Sequence, residues 1–266
     1  MGDRNMGQQV QIETFGPVGV ITLNRPQRHN SLVPEFLAEF LAGVATLRER
    51  KELRAMVLQG NGRSFSTGGD VRAFHEHQAE IGPYAAGLVQ LLNDAVLALL
   101  DFPVPIVAAV HGIVTGGSLG LVLASDIVLV APEATFTPYY SVVGFSPDGG
   151  WTALLPQVIG PKRTAEVLMR NLTITAEQAV AWGLAGRVVP ADQIHAEARK
   201  VADEIAAMQP GSIRATRRLM HAAYRDAAAR LAAEHREFCA QVVADEAREG
   251  MAAFLTGPGK LTPKLS

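Results

Sequence analysis

Asp148 is the one ionisable side chain in VVGFSPDGGWTALL (Val142 to Leu155), where its neighbours are apolar, small or conformationally special. A carboxylate so placed either caps a helix or moves protons, because an apolar setting raises its pKa toward the working pH of a general base. Two glycine-rich turns offer complementary chemistry. STGGD (Ser66 to Asp70) and TGGSLG (Thr115 to Gly120) each follow an apolar strand pattern and precede a helical one. Glycine lets the backbone approach a ligand without a Cβ in the way, and the first amides of a helix have no internal partner. Two such turns side by side could aim two N–H donors at one oxygen as an oxyanion hole. Taken singly, each could equally be a tight strand–helix connection. Neither has phosphate-loop spacing: GGSLG is not G-x-G-x-x-G, and no lysine follows as in a P-loop.

The surrounding periodicity describes the scaffold. QVQIETFGPVGVITLN reads as two strands about a Gly16-Pro17 turn, and Pro34 opens an amphipathic helix to about Arg50. RAMVLQG, PVPIVAAVHG and DIVLVAP read as buried strands. Helices are expected after STGGD, over Tyr84 to Leu100, and at GGSLGLVLAS. This alternation runs to about residue 200 and predicts an α/β fold. From about Ala191 only helical patterns remain, so the expected division is a core over 1–200 and a helical region over 201–266. The apolar stripe of that region suits either the chain's own core or a subunit contact.

Bulk properties narrow the function. The chain has 266 residues, 48% hydrophobic and 19% charged, with a net charge of −2 and no long run of one sign. That is a globular composition with nothing to recommend nucleic acid or an anionic membrane as partner. Cys239 is the single cysteine, which excludes a disulfide scaffold; it reads as a packed helical thiol. MGDRNMGQQVQ lacks the apolar region of a secretory signal, and no uninterrupted apolar run approaches the ~18 residues of a membrane span. The expectation is a soluble, cytoplasmic protein. No His, Cys and Asp cluster has metal-ligand spacing.

Five blocks in order, LNRPQRHNS, FSTGGDVRAF, PVPIVAAVHGIVTGGSLGLVLASDIVLVAPEATF, LLPQVIGPKRTAEVLMRNLTITAEQAVAWGLAGRVVP and EAREGMAAFL, resemble the crotonase superfamily of enoyl-CoA hydratases and isomerases. The likeness spans about residues 9 to 255. It implies a spiral of ββα units with a helical C-terminal trimerisation region, often forming hexamers, and an acyl-CoA thioester substrate with no further cofactor. By the same resemblance the oxyanion-hole amides belong to Gly69 and Gly117. Arg25 and Arg28 would lie along the nucleotide end of CoA, Arg72 near its phosphates, and Lys260 could add a further cation.

The family's hydratases use two glutamates. At the matching positions this chain has Gly120 and Tyr140. Losing positioned acid–base groups costs about 10² to 10⁴-fold each, so efficient hydration is not expected. Asp148, which the resemblance places at the first turn of a helix over GGWTALLPQVIG, instead matches the only acid of some family isomerases, one carboxylate taking a proton from C2 and returning it at C4. Val142, Val143, Phe145 and Trp151 are expected to supply its apolar surroundings, with Tyr139 and Tyr140 lining the acyl pocket. Asp126 is treated by the family as structural, and Asp70 is the acid expected at a helix start. His29 and His111 read as structural, His75 and His77 as a solvated face.

Two rivals remain. The family's 4-chlorobenzoyl-CoA dehalogenases have a nucleophilic aspartate matching Asp148, but Asn93 stands at about the position of their histidine base, and Tyr140 matches their pocket tryptophan. Asp148 could also be only a helix cap in an acyl-CoA-binding protein without turnover.

Overall fold

The computed structural model describes residues 8–257. Lys260 lies outside them. Two strands, β1 (Val10–Phe15) and β2 (Val18–Leu23), form an antiparallel hairpin about Gly16, whose φ of 58° suits the tight turn. Pro34 then occupies the first turn of α1 (Pro34–Arg48), where its missing N–H costs nothing. β3 (Ala55–Gly60), α2 (Val71–Glu76), α3 (Ile81–Leu100) and β4 (Ile106–Val110) continue the alternation. Next come β5 (Ile113–Thr115), α4 (Leu119–Leu123), β6 (Ile127–Val130), β7 (Thr135–Thr137) and α5 (Tyr140–Val143). The spiral closes through α6 (Leu155–Ile159), α7 (Pro161–Arg170), β8 (Ile174–Thr175), α8 (Ala176–Ala181) and β9 (Arg187–Val188). Four helices end the described chain: α9 (Ile194–Ala206), α10 (Pro210–His221), α11 (Ala227–Val242) and α12 (Asp245–Thr256).

The main sheet has the order β1-β2-β3-β4-β6-β9, parallel from β2 onward, with Val57 opposite Val107 and Ala109 opposite Leu129. A smaller sheet joins β5, β7 and β8. Strands covered on both faces read as unbroken apolar runs, which is why AMVLQG and IVAAV lack polar alternation. Their period of two splits the core: Met56, Leu58, Ala108 and Val110 face the larger cluster, whereas Val57, Val107 and Ala109 face a second one under α9.

α3 sits between α1 and α11 in the larger cluster. By length and composition alone the stretch Gln78–Leu100, α3 with the turn before it, is apolar enough to cross a bilayer, although the sequence has no comparable uninterrupted apolar run; half of its most apolar part is buried inside the fold. The tail also reaches that core, through Leu231, Phe238, Val242 and Met251.

One local expectation fails. GGWTALLPQVIG was expected to be helical from its start, with Asp148 on the first turn. Residues 149–154 instead form turns, and the helix begins only at Leu155.

Candidate active site

The two glycine turns, one following β3 of the main sheet and the other β5 of the smaller one, meet through an isolated bridge. Ser66 bridges to Val114, and the Ser118 hydroxyl donates to the Ser66 carbonyl at 3.0 Å. Gly68, at φ 70°, lies so close to the second turn that an added Cβ would stand 2.5 Å from the Thr115 carbonyl oxygen. Gly69 and Gly117 both line a cavity of about 590 Å³ beside this junction. Among the described residues the loop and turn hydrogen bonds use neither of their amides, and Gly117 falls in the first turn of a short 3₁₀ segment, where N–H groups lack internal acceptors.

Asp148 lines the same cavity, yet is only 6% exposed. A Cβ built on Gly117 would lie 2.9 Å from Asp148 Oδ1 and 3.2 Å from Oδ2, so the carboxylate stands directly over the second glycine turn. Burial pushes the Asp148 carboxyl up to about 7; a hydrogen bond from Tyr140 opposes this, and the negative charge of Glu234 adds to it. The Tyr140 hydroxyl reaches Oδ1 at 2.6 Å and the Asp148 carbonyl at 3.0 Å. Burial, and then the adjacent carboxylate, hold that phenol well above its ordinary range. Oδ2 receives no hydrogen bond from another described residue, and with the helix starting at Leu155 the carboxylate caps nothing.

The apolar side of the cavity includes Val143, Phe145, Tyr139 and Tyr140, together with three phenylalanines that the sequence did not single out. Phe74, on α2, contacts Phe145 and Phe238, while Phe254 meets Tyr139 edge-on. Phe238 and Phe254 come from α11 and α12, so the helical tail closes the cavity over its own chain. Trp151 departs from its expected place. It is fully buried outside the lining, its indole donating to the Gly116 carbonyl at 2.7 Å, and so braces the second glycine turn from behind. Val142 is likewise outside the lining.

Asp70 stands at the N-cap of α2, as expected, and its carbonyl accepts the first helical bond from the Phe74 amide, but its side chain is engaged elsewhere. Its carboxylate makes no cap bond, and at 6% exposure it binds Arg28 at 2.8 Å, Arg25 at 3.2 Å and the Ser31 hydroxyl at 3.1 Å. Burial works against ionisation there, but these donors outweigh it and hold the acid below its usual range. Arg28 lies on the cavity rim and Arg25 behind it. Arg72 is also on the rim, exposed, and forms no ion pair among the described residues, which makes it the freest of the three for a phosphate.

Asn93 is buried and donates to the Leu231 carbonyl at 3.1 Å, tying α3 to α11. His29 lines the cavity but its ring is paired with the Ser64 hydroxyl, whereas His111 pairs with the Gly62 carbonyl outside the lining. His77 is no solvated residue, since its ring stacks on Tyr84 at 4.2 Å. Two larger surface clefts, of about 790 and 760 Å³, are lined by Arg54 and Arg214 and by Arg217 and Arg225 respectively; neither includes a glycine turn or Asp148.

A buried carboxylate sharing one cavity with two glycines whose amides are not used by loop or turn hydrogen bonds among the described residues is equipment suited to forming and reprotonating an enolate. Comparison with known proteins agrees on the class. The family model described as enoyl-CoA hydratase/isomerase matches residues 13–258. The chain is 34% identical over 216 residues to a Thermus thermophilus protein provisionally named an enoyl-CoA hydratase, covering 79% of this chain and 83% of that one. It is 31% identical over 218 residues to carnitinyl-CoA dehydratase of Proteus mirabilis, covering 82% of each. The crystal structure of an enoyl-CoA hydratase/isomerase from Mycobacterium paratuberculosis superposes with a TM-score of 0.86 at 27% identity, over 93% of this chain and 99% of that one. The chain therefore belongs to the enoyl-CoA hydratase/isomerase family and has its crotonase α/β fold.

Proposed function

We propose that this family member is an acyl-CoA isomerase that moves a double bond from the 3,4 to the 2,3 position, or performs a related isomerisation on a ring-derived acyl-CoA. The observation that carries this reading is the placement of Asp148 over Gly117. The thioester oxygen accepts hydrogen bonds from the Gly69 and Gly117 amides, which acidifies C2 and spreads the developing negative charge onto that oxygen. Such donors contribute about 2.7–4 kcal/mol each in one measured system. Asp148 Oδ2 removes the C2 proton, while Tyr140 holds Oδ1 and fixes which oxygen reacts. The resulting acid then returns the proton at C4. A carboxyl titrating at about 7 is suited to both transfers at neutral pH. Arg72, with Arg28 beside it, receives the CoA phosphates, and no cofactor beyond the substrate's own CoA is required. A cytoplasmic homotrimer or hexamer belongs to the same reading, supported by the exposed Leu219 and Met220 of α10.

Water addition is the second reading, favoured by the names of the relatives. Against it, the position of the first hydratase glutamate is closed: a Cβ on Gly120 would stand 2.5 Å from the Gly149 carbonyl oxygen. The second is occupied by Tyr140, already committed to Asp148. The wild-type protein should convert 3-hexenoyl-CoA to the conjugated thioester, read by its absorbance, and hydrate crotonyl-CoA at least a hundredfold more slowly, as loss of about one positioned acid–base group would give. Brisk hydration with no isomerisation would reverse the assignment.

A further inference from the structure

A buried acid in the helical tail lies outside the cavity lining and moves no proton in the chemistry above. Glu234 lies on α11 between Leu231 and Phe238, on the stripe that faces the core, and is 4% exposed. Its Oε1 accepts from the Thr152 amide (2.7 Å), the Thr152 hydroxyl (2.7 Å) and the Ala153 amide (2.9 Å), and its Oε2 from the Gly150 amide (2.8 Å). Four donors converge on it, so the site is built for the ionised form although burial raises its pKa. All of them belong to the turns directly after Asp148. On the opposite side the same segment is pressed against the second glycine turn, where a Cβ on Gly149 would stand 2.3 Å from the Gly117 carbonyl oxygen.

We propose that Glu234 is the positioning residue for Asp148: from the C-terminal helix it pins the amides of Gly150, Thr152 and Ala153, and so sets where the catalytic carboxylate stands over the glycine turns. This deepens the isomerase reading and rests on Asp148 being its base. The tail thereby has a part in catalysis within its own chain. Two titratable groups face Asp148, Tyr140 from α5 and Glu234 from α11. The stretch Gly116–Leu123 contains none, and α3 adds none to its surroundings. The two act oppositely, because the phenol's hydrogen bond favours the carboxylate whereas the charge of Glu234 disfavours it.

Glu234→Gln separates positioning from folding. The amide oxygen can replace Oε1 and keep three bonds, while the NH₂ group presents a donor to the Gly150 amide and loses that anchor. The expected result is a folded enzyme with KM for 3-hexenoyl-CoA unchanged and kcat lower by about 10- to 100-fold, the scale of a small misplacement of a reacting group. Its acid limb should move to lower pH, and that of Tyr140→Phe to higher pH. Wild-type kcat with an unmoved limb overturns the proposal, as does a loss of activity that merely tracks the folded fraction. If Glu234→Gln fails to fold, Thr152→Val removes one donor and leaves the charge; kcat should fall about two- to threefold with KM intact, and an unchanged kcat overturns the proposal. Asp148→Asn is assayed alongside. If it is inactive while Glu234→Gln matches wild type, only the positioning claim fails; if it is fully active, the base assignment falls and this proposal with it.

Discussion

At Asp148, burial works against ionisation, the Tyr140 hydroxyl works for it, and the balance leaves the carboxyl at about 7. A base must be ionised to act, so kcat/KM, which reports the free enzyme, should rise with pH through that value. Tyr140→Phe removes a stabiliser of the carboxylate and should move the acid limb upward; a limb that stays in place would show that the 2.6 Å contact does not govern ionisation. The same shift has a stability consequence of opposite sense to the usual acid. The unfolded carboxyl ionises near ~3.9, below the folded value, so the native state binds the extra proton between the two and loses stability as pH rises through them. Asp148→Asn should therefore raise the melting temperature at pH 8 and do so less at pH 4, measured by calorimetry. The lone acid in VVGFSPDGGWTALL and both glycine turns were readable from residue type alone. Trp151 was misread because an aromatic beside a site can line it or brace it, and only the indole bond to Gly116 decides.

Among the elements, the segment after Asp148 departs most from its pattern. GGWTALLPQVIG has the composition of a helix start, yet Gly149 and Gly150 take φ of 59° and 90°, and an acid from a distant helix satisfies the amides that a local cap would have served. A remote partner of this kind leaves no trace in the segment itself. It does leave one in α11, where Glu234 interrupts the spacing Leu231, Phe238, Val242, a carboxylate on a core-facing stripe. The close approach of Gly149 to α4 also constrains position 120. Gly120→Glu should not install hydration and should instead destabilise the fold by about 1–3 kcal/mol or more, the range for forcing volume into a filled space. Crotonyl-CoA hydration by a normally folded Gly120→Glu variant would contradict this.

For the whole molecule, the alternation of strand and helix made the α/β class legible, and five ordered blocks made the family legible. The division at residue 200 was less so. α9 continues the sheet packing to Ala206, and an apolar stripe looks the same whether it meets its own core or another subunit; here Phe238 and Met251 join the main core. α10 is fastened by a buried charge cluster. Arg217 binds Asp126 at 2.8 Å and the Leu100 and Phe102 carbonyls, while His221 reaches Asp126 at 2.8 Å. Burial opposes ionisation of Asp126, but the His221 bond and the Arg217 charge outweigh it and hold its pKa low. Its stabilisation is thus present above the unfolded carboxyl's range and lost as pH falls through the folded value. Arg217→Ala leaves that acid without its guanidinium partner and should cost about 3–5 kcal/mol in urea unfolding at pH 7. A change under ~1 kcal/mol would show that the cluster is dispensable.

The central claim is that a single carboxylate moves the proton opposite two main-chain amides, and turnover of 3-hexenoyl-CoA by Asp148→Asn at matched occupancy tests it most directly. The account predicts that conjugated product falls by at least about 10³-fold while the variant still binds the thioester, in keeping with loss of the only proton carrier. Turnover within a fewfold of wild type would contradict it.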